Sequence, residues 1–213
     1  GGMVISASYY EGYYASSSRP EPVVRVQNIY YRNDPILTCA RPGRPPSDYS
    51  IAKCMVKSAL IWEQVEKCGV PDVKGVWCHE AGGGRLFNII SIKQRYPGHA
   101  RQAMLAASQV HAGAYLGRYV IVVDEDIDPT NTFDVIWALA SRSDPVESIE
   151  ILRRCWSGPL DPRIQPGKKG FNSRAVIDAC RPFEWMKDFP PVAESTPELK
   201  EKIRAKWKKV IEG

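Results

Sequence analysis

The chain has 213 residues, 44% of them hydrophobic and 25% charged, the balance of a globular protein with room for one ordinary α/β domain and some additions. No apolar run reaches the ~18 residues that a membrane-spanning helix needs. The net charge is +5, and the six Lys or Arg against three Glu from Pro197 onward supply +3 of it, so no basic face with interleaved aromatics offers a nucleic-acid surface.

Gly1-Gly2-Met3 reads as a tag remnant ahead of an initiator Met, with no secretory signal behind it. Residues 22–31, PVVRVQNIYY, alternate apolar and polar side chains and predict a strand. The Pro/Gly/Arg run Ala40 to Pro46 is the best boundary in the chain. Beyond it, Ser47 or Asp48 can cap a helix. Its apolar positions Ile51, Met55, Ala59, Trp62 and Val65 recur every three to four residues, and Gly69-Val70-Pro71 ends it. Strands are expected at 73–79 and 86–92. Gly82, Gly83 and Gly84 between them lack the Lys-Ser/Thr of a P-loop and the spacing of a dinucleotide fingerprint, so they read as a flexible hairpin.

Pro97-Gly98 opens a long helix to about Leu116, and a strand at 119–124 follows. Strand, helix and strand at this spacing predict a crossover between parallel strands. A helix near 132–141, Pro-rich loops at 159–166 and 190–197, and a last helix capped by Thr196 with Pro197 in its first turn complete the chain. On that helix Leu199, Ile203, Trp207, Val210 and Ile211 form one apolar stripe.

The most conspicuous chemistry is Asp124, Glu125, Asp126 and Asp128 at a strand end. Three of these fit the first, third and fifth places of a calcium loop. Pro129 then stands where the sharp-turn Gly is required, and Val135 where the bidentate Glu is required. An EF-hand is excluded. A magnesium site using one or two of the carboxylates stays open, as does the structural reading in which they cap the next helix and oppose its dipole. His79, His99 and His111 are too far apart in sequence to suggest a metal set. Cys39, Cys54, Cys68, Cys78, Cys155 and Cys180 form no CxxC pair and no zinc spacing. Several sit in apolar runs and read as core positions, which suggests a reducing, cytoplasmic compartment.

Five segments occur in a recognisable order: "YYRNDPILTCARPGRPPSD", "SIKQRYPGHARQ", "VVDEDIDPTNTFDVIWALASRSDP", "SGPLDPR" and "NSRAVIDACRP". Together they resemble the UbiD family of prenylated-flavin-dependent decarboxylases from about Glu11 to Pro182. The resemblance implies an α/β fold, namely a C-terminal three-layer α/β domain with a mixed or parallel sheet. It also implies the last strands of a split β-barrel before that domain and a C-terminal helix after it. The corresponding division is residues 1–40 as barrel remnant and linker, 41–190 as the α/β domain and 191–213 as a helix for oligomer contacts. In this family the acidic stretch is framework and not the metal site.

The resemblance further implies prenylated FMN, held with manganese and potassium ions by parts of the complete enzyme that have no match here. The substrate it implies is an aromatic or α,β-unsaturated carboxylic acid. Its pocket takes residues from the start of the first helix, at Tyr49 to Lys53, and from the later loop, at Pro159 and Leu160. The family's proton-donating Glu lies in a strand ending in Gly-Tyr. Aligned on Gly12-Tyr13 it falls on Tyr9, and Glu11 lies two residues later, about 6–7 Å along the same strand face. Glu11 either enters the pocket from that displaced place or is a surface residue. Three readings of the chain stay open: part of such an enzyme, a subunit completed by a partner that carries the flavin-binding half, or a non-catalytic binding and oligomerisation module. The expected partner is a second copy of the chain in a homo-oligomer or a subunit carrying the flavin-binding half.

Overall fold

The computed structural model describes residues 9–10, 13–14, 22–37, 44–46, 48–165, 167–168 and 170–211. Two short strands, β1 (Tyr9–Tyr10) and β2 (Tyr13–Tyr14), pair antiparallel. Then come α1 (Asp48–Lys67), β3 (Val73–Cys78), β4 (Phe87–Ile92), α2 (His99–Gln109), α3 (His111–Ala114), β5 (Tyr119–Asp124), α4 (Thr132–Arg142), β6 (Ile149–Trp156), β7 (Phe171–Ala179) and α5 (Pro197–Ile211).

The main sheet has the order β3-β4-β5-β7-β6. Its three central strands are parallel, and each edge strand runs antiparallel to its neighbour. Parallel strands need both faces covered, and the sequence alternation of β5 supplies this. Val120 and Val122 join Val76, Ile90, Ile92 and Val176 against Ile61 and Val65 of α1 and Ala103, Met104 and Ala107 of α2. Ile121 and Val123 join Ile89, Ile177 and Ala179 against Val135 and Ala138 of α4. The result is the three-layer α/β arrangement expected from the sequence.

Three expectations need correction, and two strands have no counterpart among the expected elements. Residues 22–31 form no strand: the described stretch 22–37 has no ladder partner and is exposed throughout, with Val24 at 83% and Tyr30 at 91%. Alternation makes a strand only where a sheet edge accepts its hydrogen bonds. The long helix does not run from Pro97 to Leu116. It breaks at Val110 (φ −57°, ψ 147°), and α3 restarts at His111. The connection holding Gly82 to Gly84 is a hairpin but not a slack one. His79 N donates to Phe87 O at 2.9 Å, Gly84 N returns to His79 O at 3.0 Å, and a 3₁₀ turn fills Glu80–Gly82. Finally, β6 and β7 were not anticipated.

The last helix starts as expected. Thr196 Oγ1 accepts from Leu199 N at 3.3 Å, a side-chain cap on the first turn. The apolar stripe of α5 stays about half exposed, with Leu199, Ile203 and Trp207 between 45% and 48%.

Candidate active-site face

The crevice used by open parallel sheets lies beyond the carboxyl ends of the strands. Here that end is closed. Asp124, the last residue of β5, is buried and accepts from Arg142 Nη1 at 3.0 Å, Arg181 N at 2.8 Å, Arg181 Nε at 3.1 Å and Gln94 Nε2 at 2.8 Å. Asp126 takes the other face of the same guanidinium, with Arg142 Nη1 at 2.9 Å and Nη2 at 2.8 Å. The Arg142 bond holds the Asp126 carboxyl below the usual carboxylate range. Asp128 accepts from Thr130 N and Oγ1, both at 2.8 Å, and Asn131 caps α4 through Phe133 N at 3.1 Å. The acidic stretch is therefore an ion-paired brace followed by a turn and a cap. No group of three metal-binding side chains occurs among the described residues.

The opposite end, where β4, β5 and β7 begin, is built differently. Gly84 has φ +64°, and a Cβ there would sit 3.0 Å from Cys54 Sγ of α1. Only glycine gives both that backbone and that close approach. The fit lets Arg85 follow directly, with its guanidinium 5.0 Å over the Tyr115 ring and its Nε buried without a hydrogen-bond partner. Tyr115 in turn packs on Gly158, where a Cβ would fall 2.5 Å from the ring. Trp156 stacks on His111 at 5.5 Å and tilts against Tyr115 at 5.7 Å.

Lys57, one turn along α1 from Lys53, donates to Ala112 O at 2.7 Å. Burial lowers its pKa first, with the positive charges of Arg85 and Lys53 adding to the shift. Three cations and an aromatic wall thus gather at one end of the sheet. Their arrangement suits a flat apolar body that carries a carboxylate.

Pro159 and Leu160 form the turn after β6, with Pro159 exposed and Leu160 half-buried. The turn is pinned from below. Asp161 is fully buried, ion-paired with Arg118 just before β5, and accepts from Arg163 N at 3.0 Å. Lys53 is half-buried on α1, and Tyr49 lies in that helix's first turn. The link from α1 to the 158–160 turn runs through Cys54, Gly84, Arg85, Tyr115 and Gly158. Glu11 lies outside the described residues. Sequence reading missed Lys57, Arg85, Tyr115 and Trp156. The one signal available was the basic residue immediately after three glycines. His79 is structural: its Nδ1 accepts from Ala81 N at 3.0 Å, so its Nε2 carries the proton toward Thr132 Oγ1, 2.7 Å away.

Residues 51–179 match the family model of the 3-octaprenyl-4-hydroxybenzoate carboxy-lyase C-terminal domain. The chain belongs to the UbiD family. A phenolic acid decarboxylase of Escherichia coli O157:H7 is 33% identical over 173 residues, 81% of this chain and 35% of that protein. Among solved structures, the open form of Sedimentibacter hydroxybenzoicus vanillic acid decarboxylase superposes with a TM-score of 0.75 at 28% identity, over 96% of this chain and 43% of that one. The UbiD-class enzyme HmfF of Pelotomaculum thermopropionicum, solved with FMN, matches with a TM-score of 0.63 at 26% identity, over 72% of this chain and 33% of its own. The chain spans between a third and about two fifths of the length of the curated relatives it matches. Its described residues include no helix long and apolar enough to cross a membrane.

Proposed function

We propose that this chain is the substrate-side portion of a UbiD-type carboxy-lyase acting on an aromatic or α,β-unsaturated carboxylic acid. The observation that carries this reading is Arg85 stacked on the Tyr115–Trp156 wall beside the Pro159-Leu160 turn, with the charges of Lys57 and Lys53 nearby. Cations draw the carboxylate in, and the apolar turn and aromatic rings hold the flat body of the acid. Arg118 and Asn172, which grip Asp161, set the height of the Leu160 turn.

Prenylated FMN supplies the electron sink for loss of CO2 in such an enzyme. The family segments that hold its phosphate and metal have no match in this sequence. The cofactor belongs to a flavin-binding half, in the same polypeptide or in a partner. Glu11 is the proposed proton donor to the carbon that CO2 leaves.

The test has two arms. This chain alone, incubated with prenylated FMN and desalted, is expected to be colourless and to release no CO2 from 4-hydroxybenzoate, vanillate or cinnamate. Co-expressed with the flavin-binding half of a UbiD-class enzyme, it is expected to restore release from at least one of them. Stoichiometric flavin absorbance in the chain alone would sink the division of labour. Failure of every acid in a complex that does hold flavin would favour the non-catalytic module.

We also propose that α5 docks on a second copy or on the partner half. Its stripe is half exposed, and burying the Trp207 ring is worth about 2–3 kcal/mol. Trp207→Ala is expected to shift the sedimentation mass toward monomer while the melting temperature of the α/β sheet holds. An unchanged mass with a large drop in melting temperature would instead place α5 on its own domain.

A further inference from the structure

The sheet has a second concavity, on the face that α4 covers only in part. Ile149 and Ala175 lie on that face with the α4-packed residues. Leu152 and Val176 lie on the other, against α1 and α2. Below α4 an open pocket of about 960 Å³ is lined by Tyr119, Ile151, Phe171 and Ala175 of the sheet and by Arg118, Arg154, Arg163 and Lys168 at its edge.

No acidic side chain among the described residues lines it. Asp161, which contacts the lining residues Arg118, Asn172 and Arg163, is itself fully buried. The charged ends of Arg154, Arg163 and Lys168 make no hydrogen bond or ion pair among the described residues. Three such cations around one concavity repel one another, and a multiply charged anion is what would relieve that repulsion.

Arg154 is placed there at a cost. Its backbone is left-handed (φ +56°), inside a bulge between Leu152 and Cys155. A residue with a Cβ adopts that conformation only under strain, and bulges commonly re-aim a side chain. Here the guanidinium is aimed over the Phe171 ring, 5.5 Å from its centre.

We propose that this pocket binds a purine nucleoside monophosphate, a ligand distinct from the flavin of the proposed function. A phosphate dianion matches the guanidinium forks and the Lys168 ammonium. An aromatic body matches the Tyr119 and Phe171 faces and the Ile151 floor. The volume falls in the range of about 300–1,000 Å³ that suits organic ligands and exceeds what a bare phosphate fills. The pocket adjoins the Leu160 turn, since Arg118 and Asn172 of its lining hold Asp161, but its ligand is argued from its own cations and rings and not from the carboxy-lyase reading.

Titration calorimetry on the whole chain decides it, with AMP as the probe and adenosine, inorganic phosphate and 4-hydroxybenzoate as comparators. AMP is expected to bind at least about tenfold tighter than any of the three, because charge and stacking act together. Arg154→Gly is the key variant, since glycine takes a left-handed backbone without strain. It should weaken AMP about tenfold with the melting temperature equal to or above that of the wild type. Arg163→Ala should weaken AMP similarly, and Lys206→Ala, on α5, should not. AMP binding no tighter than phosphate would mean diffuse charge attraction only and overturn the proposal. Tighter binding of 4-hydroxybenzoate than of AMP, or full affinity in a folded Arg154→Gly chain, would overturn it equally.

Discussion

Arg142→Ala is expected to destabilise the fold by about 3–5 kcal/mol, the range for removing one partner of a buried ion pair. The side chain is 1% exposed, and it bridges Asp124, 3% exposed, to Asp126. Without it Asp124 keeps Arg181 and Gln94, but Asp126 loses its bidentate partner and α4 loses its tether to the end of β5. Urea unfolding measures the loss. Arg142→Lys should fall between, because an ammonium keeps the charge but not the fork. Asp124→Asn should likewise lower stability without altering bound metal.

The pH dependence has a definite sign. The folded-state pKa of Asp126 is depressed below its ordinary 3.8 by the Arg142 bond. Its contribution is therefore complete above about pH 4 and is lost as the pH falls through the lower folded value. Wild type should lose stability in that acid window, and Arg142→Ala should lose less of it there. An Arg142→Ala chain within 1 kcal/mol of wild type, or stoichiometric calcium that Asp124→Asn removes, would reverse the structural reading of the acidic stretch.

The sequence revealed the fold wherever burial was regular. Val120 to Val123 are apolar in succession because both faces of β5 are covered, and α4 and the Thr196 cap were readable from their spacing. It failed where tertiary context overrides local pattern. β7 carries Arg174 in its middle, so it reads as polar although that residue is 1% exposed. β6 is an edge strand with Arg153 and Arg154 at a bulge, which breaks the alternation. Residues 22–31 alternate well but find no edge to pair with among the described residues. Family resemblance pointed only to the margins of the candidate site, Tyr49 to Lys53 and Pro159-Leu160. Lys57, Arg85, Tyr115 and Gly158 are far apart in the chain, and no spacing rule links them before the sheet is built.

Arg174 also shows why that site depends on residues that cannot touch a substrate. Its guanidinium donates to the carbonyls of Ser108, Ala114 and Trp156, at the ends of α2, α3 and β6, and its Nε points at Asn172 Oδ1, 3.4 Å away. No carboxylate among the described residues pairs with it, and burial pushes its pKa down. Each orphaned carbonyl costs about 1–3 kcal/mol, so Arg174→Ala is expected to lose at least about 4 kcal/mol, more than most single substitutions.

Arg174→Met separates the causes. Methionine fills most of the space but donates nothing, so it should remain nearly as unstable if the three carbonyls are what matter. The effect should reach the candidate site as well. Ala114 precedes Tyr115 and Trp156 precedes Ser157, so freeing their carbonyls loosens the wall on which Arg85 stacks. Near-ultraviolet circular dichroism of Arg174→Met, well below its melting temperature, should show weakened Trp and Tyr bands while the far-ultraviolet spectrum stays native. If Arg174→Met is as stable as wild type and keeps those bands, the carbonyls are satisfied without the guanidinium, and the aromatic wall is held by its own packing.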